Sequence, residues 1–161
     1  MKPVSNWDEY AEMAEWCNNH NSIIVEREDC YEVVAVPEPT FAELKERKLA
    51  ELSASFNARV AGSFVTSQGF EMQFDRSDSL AVEGMIKLME ATGETVGYLT
   101  QANDLTVYGV SLDTIKDVLV QMLKMYARCH AKKQEYRTWI NACETKEGLD
   151  GIEFVWPVSA E

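Results

Sequence analysis

Histidine and cysteine are the side chains of this chain that most often bind metals or act as nucleophiles. Cys129 and His130 are neighbours, but adjacent side chains on a helix point about 100° apart, so they do not easily share a metal ion. The other histidine, His20, has no partner at ligand spacing. The four cysteines form no CxxC pair, which favours free buried thiols in a reducing compartment; the alternative is a disulfide between Cys17 and Cys30. We therefore expect no catalytic residue, no cofactor, no metal site and no enzymatic activity.

Charge is the second chemical feature of the chain, whose formal net charge is −12. Residues 1–39 contain nine acidic and only two basic side chains. A surface of this sign repels phosphates, so neither nucleic acid nor an anionic membrane is an expected partner. The acidic side chains that we select as candidate contacts for a partner protein are Glu12, Glu15, Glu28 and Asp29.

A basic stripe and one tryptophan are the candidate contacts in the C-terminal part of the chain. Lys124, Arg128 and Lys132 repeat every four residues and so share one face of a predicted helix. The stripe is either a solvated helix face or a surface that pairs with the acidic N-terminal segment, within one chain or between chains. Trp139 lies one position from the apolar seam of the same helix, and tryptophan is favoured at protein interfaces.

The elements that must position these residues begin with a small α-β-β module at residues 1–36. Trp7, Tyr10 and Cys17 recur at helical spacing, and the segments 22–27 and 30–36 are rich in β-branched residues. We find no apolar run long enough to span a membrane and no signal peptide, so we expect a soluble protein that is not secreted.

Pro37 and Pro39 mark the boundary to a second domain, residues 37–161, because neither proline fits a helix interior or a central strand. Thr40 and Glu43 form a capping box for its first helix. The following pattern predicts an α-ββ-α-ββ-α order, with helices at about 41–61, 80–92 and 112–144 and hairpins at 63–74 and 96–110. The predicted fold class is α+β.

The last of these helices is long, and its apolar residues step by four and three. Lys133 alone interrupts this seam. Such a helix is either a spine for the other elements or is shared with a second chain, and we expect a homo-oligomer, a dimer or a trimer. The segment 152–157 is expected to form a short strand or an aromatic clasp. The other members of the seam are Ile115, Leu119, Met122, Tyr126, Cys129, Tyr136, Ile140 and Cys143.

Three segments carry a resemblance to a known family. They are Pro37-Glu38-Pro39-Thr40-x-x-Glu43-Leu44-Lys45 with Lys48 and Glu51-Leu52, then Thr66-Ser67-x-Gly69-Phe70, and the stretch from Cys143 to Trp156. Through them, the chain from residue 37 onward resembles an uncharacterised bacterial and phage family of domains of unknown function, found in tail-fibre regions of phages and prophages.

The resemblance implies a tail-associated structural or assembly accessory protein without a known active site. Its partners would be tail or assembly proteins, and its location would be the host bacterial cytoplasm during assembly, or the virion. The alternative function follows from the acidic N-terminal segment, whose carboxylates could imitate nucleic-acid phosphates. The protein would then be a small acidic inhibitor of a host nucleic-acid-binding or defence protein.

Overall fold

A computed structural model describes residues 7–28 and 31–160 of the chain. Contacts divide the chain into two compact units, Met1–Thr40 (unit 1) and Phe41–Glu161 (unit 2). The described residues form five helices and three antiparallel two-stranded sheets, which confirms the predicted α+β class. No helix in these residues is long and apolar enough to cross a membrane.

Unit 1 has the predicted α-β-β order. Helix α1 spans Trp7–Asn19, and strands β1 (Ser22–Glu26) and β2 (Tyr31–Ala35) pair as an antiparallel hairpin. Cys17 of the helix and Val33 of the second strand are buried. These are the buried apolar side chains of unit 1 among the described residues.

Unit 2 follows the predicted order of three helices and two hairpins, with one short helix added near its end. Its first two helices flank the first hairpin, and its long helix follows the second. The bounds are α2 Phe41–Val60, β3 Ser63–Val65, β4 Glu71–Gln73, α3 Arg76–Thr92, β5 Val96–Thr100, β6 Thr106–Ser111, α4 Leu112–Ala142 and α5 Lys146–Asp150.

Local capping explains where two of these helices begin and end. The Asp75 carboxylate accepts a hydrogen bond from the N–H of Asp78 at 2.8 Å, at the start of α3. Gly93 ends α3 in the left-handed conformation, with φ of 74°. At the start of α4, the Ser111 hydroxyl accepts the N–H of Thr114 at 3.2 Å. The predicted C-terminal end of α3 and the predicted start of α4 are confirmed. The start of α3 was predicted about one turn too late, because the Asp75 cap lets the helix begin at Arg76.

Helix α4 is the spine of unit 2, and its buried side differs slightly from the predicted seam. Val118 and Met125, which the seam omitted, have no exposed surface, whereas Leu119 and Tyr126 are only half-buried. An unsupercoiled α-helix drifts about 20° per heptad from a strict seven-residue repeat, so the buried stripe shifts between neighbouring positions. The seam members that are fully or almost fully buried are Ile115, Met122, Cys129, Tyr136 and Ile140.

Lys133 continues the packed side of α4. Its ammonium group lies 4.3 Å from the centre of the Phe56 ring on α2, and its apolar stem is half-buried. Helices α2 and α3 and the β5–β6 hairpin all contact α4. Most of the seam is thus covered within unit 2, and the expected homo-oligomer stays a prediction.

The segment 152–157 packs as an aromatic clasp, and none of its residues forms a strand. The Trp156 indole donates a hydrogen bond to the Ser55 hydroxyl at 2.8 Å. The Tyr136 hydroxyl accepts the N–H of Val155 at 2.8 Å and donates to its carbonyl at 3.0 Å. Because Trp156 contacts both apolar clusters of unit 2, the clasp joins them into one core.

Candidate protein-binding surface

The β5–β6 hairpin carries exposed aromatic and aliphatic side chains on its outer side. Strand alternation directs Leu99 inward, where it is buried, and Val96, Tyr98 and Tyr108 outward. Tyr108 is 78% exposed. The rings of Tyr98 and Tyr108 lie opposite each other, with centres 6.0 Å apart. We call Val96, Tyr98 and Tyr108 the hairpin face.

A β-bulge sets the direction of these side chains. Gly97 pairs with Val110 and Tyr98 pairs with Tyr108, so Gly109 is an extra residue in β6. Its φ of 73° is in the left-handed region, which glycine adopts without strain. The extra residue allows Val110 to point into the core while Tyr108 points outward.

A groove runs between the hairpin and α3. It consists of two adjoining cavities of about 540 and 380 Å³, both lined by Ala81, Met85 and Tyr98. Leu88, which is 61% exposed, lines the larger cavity together with Gly84 of α3. A Cβ atom at Gly84 would meet no atom within 4 Å, so the glycine leaves space that a side chain would occupy.

Carboxylates are the charged groups of this groove. Asp78 and Asp104 line the smaller cavity and Glu94 lines the larger one, and neither lining contains a lysine or arginine. None of the three carboxylates forms an ion pair within the part of the chain that the structure describes. Burial, followed by the neighbouring Asp75 carboxylate, raises the pKa of the Asp78 carboxyl.

The predicted basic stripe is largely engaged within unit 2. Arg128 donates to the carbonyl of Ser159 at 2.9 Å, and Lys132 pairs with Glu135 at 2.8 Å. Lys124 is exposed beside a separate cavity of about 340 Å³. Two members of the stripe therefore contact the C-terminal tail and a neighbouring side chain of α4, and only Lys124 of the three has no ion pair or hydrogen bond within the described residues.

Trp139 lies on the surface, as an interface residue must. Its side chain is 51% exposed, and its ring meets that of Tyr136 edge to face, with centres 5.4 Å apart. The Lys132 ammonium group lies 5.2 Å from the Trp139 ring centre. This second exposed aromatic site provides a comparison for the hairpin face.

The acidic candidates belong to unit 1. Glu12 and Glu15 are exposed on α1, and Glu28 is exposed after β1. Asp29 lies outside the described residues, so its placement adds nothing to the candidate surface. The described acids are thus available to solvent, as a docking surface requires.

The cysteines and histidines form no site with one another in the described residues. Cys17, Cys129 and Cys143 are free thiols, and the alternative disulfide depends on Cys30, which lies outside these residues. Cys129 is buried, whereas the adjacent His130 is exposed. No group of three or more His, Cys, Asp and Glu side chains could hold a metal ion in the described part of the chain.

Comparison with known proteins assigns the domain that carries the groove. Residues 43–153 match the family model described as a domain of unknown function, DUF4376. The chain belongs to this family. The predicted resemblance to an uncharacterised domain family is thereby confirmed. The curated proteins and the solved structures contain no match to the chain.

The entire groove lies within the DUF4376 segment, whereas unit 1 precedes it. Sequence reasoning did not select Tyr98 or Tyr108 as candidate contacts. The available signal was the alternation of Val96, Tyr98 and Thr100 in β5, opposite a strand in which Gly109 interrupts the apolar run. That signal indicates an outward aromatic pair, but only the packing of α3 beside it creates a groove.

Proposed function

We propose that this protein is a structural or assembly accessory protein of a phage or prophage tail region that acts through protein–protein contacts. The observation that carries the binding role is the hairpin face, which exposes two tyrosines and a valine beside the groove of unit 2. Contiguous exposed apolar surface of this kind is typical of sites at which proteins bind one another. The proposed role is binding, with no chemical step.

The tail region is the finer part of the proposal. Its support is the resemblance of the segment from Pro37 to Lys45, and of the stretch from Cys143 to Trp156, to domains encoded in tail-fibre regions. The proposed partners are tail or assembly proteins. The proposed location is the host bacterial cytoplasm during assembly, or the virion.

Cross-linking in cells in which the phage or prophage is induced tests this function. The tagged protein is captured after cross-linking, and its partners are identified by mass spectrometry. We expect enrichment of proteins encoded in the tail region, and loss of that enrichment when Tyr98→Ser and Tyr108→Ser are combined. The matched control is Trp139→Ser, which removes an exposed aromatic ring outside the groove and is expected to keep the partners.

Two results would contradict the proposal in different ways. Capture without any tail-region protein would refute the tail assignment. Capture that survives the tyrosine double variant and is lost with Trp139→Ser would move the binding surface from the hairpin face to α4.

The second candidate function is the acidic inhibitor of a host nucleic-acid-binding or defence protein. The observation that favours it is the exposure of Glu12, Glu15 and Glu28 on unit 1. In the same experiment, this function predicts capture of a basic host protein. That capture would be lost when these carboxylates are neutralised, whereas the tyrosine double variant would retain it.

A further inference from the structure

We propose that the groove between α3 and the β5–β6 hairpin docks a short extended segment of a partner protein that carries an arginine or lysine between apolar residues. This inference rests on the proposed protein-binding function and names the chemistry of the occupant. It depends on the charge of the groove, on its two tyrosines and on its length.

The negative charge of the groove favours a bound segment with a cationic side chain. Asp78, Asp104 and Glu94 supply three carboxylates to a groove whose lining contains no basic side chain. Each lacks an ion-pair partner within the described residues, although other surface acids of unit 2, such as Glu83 and Glu90, have one. A cationic segment complements this pattern, and an acidic segment is repelled by it.

The tyrosine pair favours a cation for an independent reason. A lysine or arginine within about 6 Å of an aromatic ring centre is attracted by the electrons of the ring face. Tyr98 and Tyr108 lie 6.0 Å apart with their planes inclined at 45°, and both are exposed. An arginine can therefore contact the rings while its charge faces the carboxylates of the groove.

Length and shape favour an extended segment. The two cavities follow α3 from Asp78 to Leu88, a distance of about 15 Å at the rise of an α-helix. An extended chain covers this distance with about four or five residues. Met85 and Leu88 offer apolar contacts along the way, and Gly84, which lines the same cavity, leaves room for the segment.

Binding of a positional-scanning library of nonapeptides to the full chain tests the proposal. We expect enrichment of arginine or lysine at one or two positions and of aliphatic residues beside them. In the selected peptide, citrulline replaces arginine as a control that keeps the shape and removes the charge. We expect this peptide to bind about tenfold more weakly. Equal binding of both peptides, or enrichment of aspartate or glutamate, would overturn the proposal.

Three neutralising variants connect the charge preference to the groove. We expect each of the variants Asp78→Asn, Asp104→Asn and Glu94→Gln to lower the affinity for the arginine peptide about threefold to tenfold. The affinity for the citrulline peptide is expected to stay unchanged. Asparagine tolerates the left-handed conformation of residue 104, whose φ is 63°. Glu144→Gln, at an exposed acid outside the groove, is the matched control and is expected to change neither affinity.

A bulky side chain at Gly84 tests the position of the peptide without altering charge. Gly84→Gln places the side chain of a good helix former in the open space of the groove. We expect it to lower the affinity for the peptide about tenfold and to make the helix more stable. Ala91→Gln, at an exposed position of α3 outside the groove, is the control. Unchanged peptide binding by Gly84→Gln would overturn the proposed site.

Failure of this inference is distinguishable from failure of the proposed function. If tail proteins are captured through the tyrosines and arginine gives no advantage over citrulline, the function holds and the cationic occupant is wrong. If arginine peptides bind the groove and the captured proteins come from outside the tail region, the inference holds and the tail assignment is wrong. Self-association that competes with the peptide would identify a second copy of the chain as the occupant and overturn the inference.

Discussion

Gly84 is a helix-interior glycine whose absent side chain leaves open space. Because glycine costs about 1 kcal/mol relative to alanine inside a helix, Gly84→Ala is expected to raise the free energy of unfolding by about 0.5 to 1 kcal/mol. Urea denaturation measures the change. Gly93→Ala is the comparison, and it is expected to lower the same quantity by about 1 kcal/mol because residue 93 has φ of 74°. A Gly84→Ala protein less stable than the parent would contradict an open position.

A stabilising substitution at Gly84 would support a functional reason for the glycine. Natural proteins often keep a residue that lowers their stability at a position where binding needs the space left by its small side chain. The peptide affinity of Gly84→Ala and Gly84→Gln therefore decides between a neutral surface position and a part of the groove. Stability and binding are expected to change in opposite directions.

Cys129 is a buried thiol whose reactivity reports the opening of the core. Burial raises its pKa, so the folded state retains the proton at a pH at which the unfolded chain loses it. This contribution to stability is fully present below the ordinary pKa of a thiol, about 8.5, and is lost as the pH rises from there through the raised pKa of the folded state. We expect iodoacetamide to label the half-buried Cys143 first and Cys129 only at the rate of unfolding, as mapped by peptide mass spectrometry. Equal labelling rates would contradict this packing.

At the scale of elements, Asp75 makes the start of α3 sensitive to acid. Hydrogen bonds from the N–H of Asp78 and the hydroxyl of Ser77 lower the pKa of the Asp75 carboxyl. Its stabilising effect is present above the ordinary pKa of aspartate, about 3.9, and is lost as the pH falls through the lowered value. We expect Asp75→Ala to cost about 1 kcal/mol at neutral pH and Asp75→Asn to cost much less, because asparagine is also a good N-cap.

The control for this prediction is the shape of the pH profile. Thermal unfolding between neutral and acidic pH should show a smaller loss of stability for Asp75→Asn than for the parent, because the amide does not titrate. Identical acid profiles for the two proteins would show that the carboxylate at residue 75 does not contribute through its charge.

Elements were predictable where their signals are local. Asp75, Gly93 and Ser111 are caps that act within a few residues of chain. The sequence alone located the C-terminal end of α3 and the start of α4, but it placed the start of α3 about one turn too late because several residues before it could serve as the cap. The hairpins followed from strand alternation and turn residues, such as Asp104 with its φ of 63°. These features need no knowledge of tertiary packing.

The candidate site was not predictable because it depends on packing between distant elements. Tyr98 and Tyr108 become a binding surface only when α3 lies beside their hairpin. The clasp depends on contact between Trp156 and Ser55, which are far apart in sequence. On α4, Val118 is buried where the predicted seven-residue pattern placed Leu119. The difference arises because the α-helix repeats about every 3.6 residues, and a seven-residue pattern only approximates two turns.

For the molecule as a whole, the acidic N-terminal candidates and the groove belong to different units. Unit 1 carries exposed acids, including Glu12, Glu15 and Glu28, and unit 2 carries the groove and the hairpin face. Exposed carboxylates contribute little to folding, whereas, among the residues that the structure describes, both apolar clusters consist of unit 2 side chains. The two units can therefore serve different contacts of one accessory protein.

A chain that starts at Pro37 should accordingly fold without unit 1. It retains every residue of both apolar clusters, so we expect a cooperative thermal transition within a few degrees of that of unit 2 in the full chain. Trp139 and Trp156 are its only tryptophans, and the half-buried Trp156 reports the clasp by fluorescence. Trp156→Phe in the shortened chain is the control that identifies the signal. An insoluble chain, or one without a cooperative transition, would mean that unit 1 completes the core of unit 2.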